Sequence, residues 1–122
     1  MLSPEVLEFL RSSVKSVWAL EVLLFLRRRS ERAWTVDALT TELRSSAMLI
    51  GEVVAGFVAA GLVRDEGEPG YRYGPAHTAL DYAVSQVERA YAERPTAVVR
   101  AILSAPSDKI QSFADAFRLR KD

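Results

Sequence analysis

Apolar residues recur along the chain at helical spacing, give way to two short strand-like stretches, and then return to helical spacing. Ser3 followed by Pro4 predicts a helix start, with a capping hydroxyl and then proline at the first helical position. Val6, Leu7 and Leu10 give that helix an apolar stripe, and Ser12-Ser13 are placed to break it. The next segment, Val14 to Arg29, is apolar nearly all round through Val17, Trp18, Leu20, Val22, Leu23, Leu24, Phe25 and Leu26. A helix of that kind is buried on most sides, which makes it the expected central strut of the core.

Thr35 is placed to cap a helix from Val36 to Arg44, with Leu39 and Leu43 four apart on its inner face. Ser46 caps another that runs to Ala60, and Gly61 is set to end it in the left-handed conformation. Leu62-Val63-Arg64 and Tyr71-Arg72-Tyr73 read as two strands, joined by the turn formers Asp65 to Gly70 into a hairpin. Gly74-Pro75 stops the second strand. Helical spacing resumes from Ala76 to Arg94 with Leu80, Val84, Val87 and Tyr91 spaced four, three and four apart. After Pro95 a shorter helix is expected over Thr96 to Leu103, and Ser107 is set to cap a last one carrying Ile110, Phe113 and Phe117.

A buried helix, a helical pair and a hairpin, in that order, resemble the winged helix-turn-helix family of bacterial transcriptional regulators. The match rests on Leu39, Leu43, Ser46, Ile50, Val54, Phe57 and Gly61-Leu62-Val63, and it extends over roughly residues 14 to 92. It implies a mainly α fold: an N-terminal helix over 1–13, a winged helix-turn-helix core over 14–75, and a C-terminal helical extension over 76–122. The function it implies is transcriptional regulation by binding DNA as a dimer. In the family the second helix of the pair lies in the major groove and its outward face reads base edges. Carried onto this chain, that face is Arg44, Ser46, Ala47, Met48, Leu49, Glu52 and Ala55, with Arg64 and Arg72 on the wing.

The departures from the pattern are chemical. Between Arg44 and Arg64 there is no Lys, Arg, Asn or Gln, the side chains that make bidentate contacts to guanine or adenine. The wing loop carries Asp65, Glu66 and Glu68, which repel phosphates. Arg27, Arg28, Arg29 and Arg32 could flank a duplex, or they could simply complement the end of the central helix. The same face therefore supports an alternative, a protein-docking module whose apolar Met48 and Leu49 meet a protein partner instead of DNA. A third possibility is that the N-terminal helix covers this face.

Association is expected through the C-terminal third. Leu80, Val84, Val87 and Tyr91 form a seam of the kind that pairs helices, equally able to fold back on the monomer. Ile110, Phe113 and Phe117 give the last helix a face expected to meet a partner or a second copy.

Composition narrows the classes. The 122 residues are 49% hydrophobic and 26% charged, ordinary for a folded domain. Sixteen basic residues balance sixteen acidic ones, whereas dedicated DNA-binding domains usually carry an excess of cations. There is no cysteine, so disulfides and thiolate metal sites are excluded. The longest apolar run, Val17 to Leu26, is about half of what a bilayer requires, and the N-terminus lacks the basic region of a signal peptide. A cytoplasmic protein without membrane contact is expected. An enzyme is not: His77 is the single histidine, set just after Gly74-Pro75, and Gly67 to Gly70 is too short and acidic to cradle phosphate. No cofactor is implied. Trp18, Trp34, Tyr71 and Tyr73 could line an effector pocket, but aromatics of this kind more often serve packing.

Overall fold

The computed structural model describes residues 2–104; the segment carrying Ile110, Phe113 and Phe117 lies outside them. The described chain is mainly helical with one two-stranded antiparallel sheet. Helix α1 spans Pro4–Ser13 and α2 spans Val17–Arg28. They are followed by α3, Val36–Leu43, and α4, Ala47–Ala59. Strands β1, Val63–Asp65, and β2, Tyr71–Tyr73, precede α5, Thr78–Glu93, and α6, Pro95–Ser104.

Four helices start on a hydroxyl. Ser3, Ser16, Thr35 and Ser46 each accept a hydrogen bond from the backbone N–H three residues on, satisfying donors that the first turn leaves open. Ser16 explains why α2 begins three residues later than the apolar run suggested. Its hydroxyl takes the Ala19 N–H at 3.0 Å, while Val14 closes α1 in an extended conformation. Val14 is buried, so the apolar pattern ran through the break.

Helix α2 is the strut the sequence predicted. Leu20, Val22, Leu23, Leu24 and Leu26 have no exposed surface. It packs on α4, β2 and α6. On α3 and α4, Leu39, Ile50, Val54 and Phe57 all point inward. One buried cluster joins residues from Val6 of α1 to Ile102 of α6, across both expected segment boundaries.

Gly61 ends α4 at φ +77°, a conformation that is cheap only without a Cβ. Leu62 N–H turns back to the Phe57 carbonyl at 3.0 Å, so β1 starts at Val63, one residue later than expected. The register pairs Val63 with Tyr73, Arg64 with Arg72 and Asp65 with Tyr71. The hairpin is not free-standing. Trp34 and Tyr71 exchange two backbone hydrogen bonds of 2.7 Å, tying the segment before α3 to β2. Helix α5 begins at Thr78 instead of Ala76, with His77 extended at its N-cap, and the Ala76 N–H is held by the Gly61 carbonyl at 2.8 Å. Helix α6 starts on Pro95 itself, where the missing N–H costs nothing.

The docking of Trp34 onto the hairpin depends on Gly70. Its φ is +113°, and a Cβ there would overlap the Trp34 carbonyl. Gly70→Ala is therefore expected to lower stability by about 1–3 kcal/mol, with a change in tryptophan fluorescence. An unchanged thermal midpoint and spectrum would show that the strap does not hold the hairpin.

Candidate functional site

The face to be judged is the outer side of α4 with the hairpin beside it. Helix α4 turns Ile50, Val54 and Phe57 into the core, so helical geometry sends Met48, Glu52, Ala55 and Ala59 outward. Met48 is 78% exposed and Leu49 39%. Arg44, Ser46, Ala47, Glu52 and Ala55 are exposed with them. The expected recognition-face residues thus share one surface. Helix α1 does not cover it, because α1 packs on α5 and α6 instead.

Along one flank of α4 runs a groove of about 290 Å³. Its walls are the end of α1, with Ser12 and Ser13, the turn after it, with Lys15 and Ser16, and Leu49, Glu52 and Gly56 of α4. Sequence reasoning missed this groove. The signal available was Gly56, which would leave a gap wherever it faced a neighbouring turn.

The charges around the face are largely spent inside the chain. Arg72 Nε lies 3.1 Å from one oxygen of Glu66 and Arg64 Nη2 lies 3.6 Å from the other. One carboxylate thus sits between both arginines of the hairpin, and Asp65 and Glu68 leave the hairpin with an acidic balance. The basic cluster at the end of α2 is likewise engaged. Arg27 pairs with Asp81 at 2.8 Å and Glu88 at 3.2 Å, and Arg28 with Glu88 at 3.1 Å. Arg29 lies over the Phe25 ring, and Arg32 over Trp34 at 3.9 Å. Arg27 and Arg28 thus join α2 to α5, whereas Arg29 and Arg32 cover aromatic rings and keep their charge exposed.

The C-terminal seam resolves the same way. Val84 and Val87 have no exposed surface within the chain itself. A dimer seam through them is corrected: α5 turns them onto α1 and α6, and they are core. Leu80 is half-buried against that core. Tyr91 is half-buried too, and its hydroxyl donates to Glu21 Oε1 of α2 at 2.6 Å. That hydrogen bond, with partial burial, raises the Tyr91 pKa. The aromatics do not line the groove. Trp34 packs edge-on against Phe25 with ring centres 4.9 Å apart, Tyr71 is bridged to Trp34, and Tyr73 is buried. His77 stands exposed at the N-cap of α5 without making a side-chain cap.

Tyr73 is the knot of the α2–α5 network. Its hydroxyl donates to Asp81 at 2.8 Å and accepts from Arg27 at 3.3 Å. Burial first, and then the bond to Asp81, push the Tyr73 pKa well above its ordinary value.

No family model, no curated protein and no solved structure matches this chain. Among the described residues, no helix is long and apolar enough to cross a membrane.

The raised Tyr73 pKa sets a pH dependence. The fold holds the protonated phenol, so this contribution is fully present below the ordinary tyrosine value of about 10 and is lost as pH rises above it. Tyr73→Phe is expected to cost about 1 kcal/mol at neutral pH and to shrink the loss of stability seen on going to about pH 11. Urea unfolding at the two pH values measures both effects. A variant with the same alkaline loss as the parent would show that Tyr73 does not control it.

Proposed function

We propose that this chain is a winged helix-turn-helix module of the transcription-regulator kind, acting through protein contact on α4 more than through base reading. On this reading α4 stands in the recognition-helix position and the β1–β2 hairpin in that of the wing. One observation carries it: the outer face of α4 presents Met48 and Leu49 to solvent, with Glu52 as the only charged side chain of the helix. Apolar exposure of this kind fits a protein surface. It is poorly suited to a phosphate backbone, whose affinity comes from Lys and Arg. The wing gives no compensation, since both of its arginines face Glu66.

Direct DNA binding is the second reading. The order of elements favours it, and so do Arg44 and Ser46, exposed at the α4 N-terminus where backbone donors attract anions.

Capture from nuclease-treated lysate separates the two. The protein-contact reading expects a partner that survives nuclease and is lost in Met48→Asp and Leu49→Asp, with the helical circular dichroism unchanged. Equal recovery by parent and variants overturns it. The DNA reading expects genomic fragments to shift at low salt with steep salt dependence. It also expects tighter binding by Glu66→Gln, which releases Arg64 and Arg72. Flat salt dependence together with no gain in that variant rejects it.

A further inference from the structure

We infer that the segment after Ser104 returns across the groove between α1 and α6, so that Ile110, Phe113 and Phe117 are covered by this chain's own surface. The inference is independent of the reading of α4 and concerns a different surface. Helix α6 turns Val98 and Ile102 into the core. Beside them Ala97, Arg100, Ala101 and Ser104 form a stripe at helical spacing. With Leu2 and Leu7 from the α1 side they line a groove of about 690 Å³. Leu103 lines it too and is 73% exposed. Apart from Arg100 and Ser104 the lining is leucine and alanine. Arg100 is no obstacle, since an arginine stem covers apolar surface while its charge stays in water.

The occupant follows from where the described chain ends. Ser104 is both the last described residue and part of the lining, so the 18 residues that follow start at the groove itself. Pro106 disfavours helix at Ala105, and Ser107 is a capping residue. A turn of Ala105, Pro106 and Ser107 has the length that joins two antiparallel helices. Ile110, Phe113, Ala114 and Phe117 then make one apolar stripe, with Asp108, Ser112 and Asp115 on the opposite side of the same pattern. A segment this short has no core of its own, and its helix is marginal without packing.

The dimensions agree. Ile110 to Phe117 is seven positions, about 10 Å of helix, and Ala97 to Ser104 is seven as well. Laid antiparallel, the two stripes run side by side, with Ile110 opposite Ala101 and Ala114 opposite Ala97. Small residues on α6 thus meet large ones on the returning segment, the match that lets ridges enter grooves. The expected contact of this stripe with a partner or a second copy becomes one within the chain.

The chain has no cysteine, so crosslinking in the full-length protein reads the register. Ala97→Cys with Ala114→Cys in one chain is expected to close a disulfide within the monomer under diamide. Ala97→Cys with Ser112→Cys, which sets the second thiol on the opposite side of the pattern, should close about tenfold more slowly. A single Ala101→Cys should react with a soluble disulfide reagent about tenfold faster once Phe113→Asp and Phe117→Asp are added, with thermal unfolding still cooperative.

Equal closing rates for the two cysteine pairs overturn the inference. So does equal reactivity of Ala101→Cys with and without the aspartates. A disulfide between two Ala97→Cys/Ala114→Cys chains, in place of one within a chain, also overturns it and sets the segment on a second copy. Where the aspartates prevent folding, the cysteine pairs decide alone.

Discussion

The structure depends on the burial of α2 on nearly every side. A helix with five residues of zero exposure has no solvent face to spare, and each such side chain gains roughly 1.5–3 kcal/mol from leaving water. Covering it takes α4 and the hairpin in one direction and α6 in another. The neighbouring elements are thereby fixed around it, and their inner faces are fixed with them. What each element presents to solvent is the remainder after this demand is met.

That remainder explains the charge pattern. Arg27 and Arg28 leave the buried helix at its C-terminal turn, where cations are favoured by the helix dipole. Helix α5 lies close by, and Asp81, Glu88 and the Tyr73 hydroxyl meet them there. A cluster that looks available in one dimension is consumed in three. The hairpin repeats the theme on a smaller scale, with Glu66 bracketed by Arg64 and Arg72. Part of the balanced composition is thus arranged as local ion pairs, between α2 and α5 and within the hairpin.

The outer face of α4 itself carries one charged side chain, Glu52. The helix is held from below by Ile50, Val54 and Phe57, and from its start by Ser46. Its outer face is a rigid ridge with a groove along one flank. Such a surface suits packing against another solid body.

Much of this was legible in the sequence, because periodicity records which face of a helix is buried. The Leu39 to Val63 pattern located α3, α4 and the turn into the hairpin, and the absence of cations on α4 was plain from composition alone. Serine and threonine caps marked helix starts, although the apolar run through Val14 hid the Ser16 cap, since a buried residue need not be helical. Periodicity cannot say what a buried face is buried against. Val84 and Val87 carry the same spacing whether they meet a second chain or their own core, and only the path of α5 across α1 and α6 decided for the core. Ion pairing is equally invisible in one dimension, since Arg27 and Asp81 are 54 residues apart. The Trp34–Tyr71 bridge and the groove beside Gly56 also arise from segments distant in the chain. The sequence by itself determined which helical faces leave water and, through Ser3, Thr35, Ser46 and Gly61, several of the helix ends; the tertiary structure alone decided which charges meet and which apolar faces stay uncovered, because both depend on distances that close only when the chain folds.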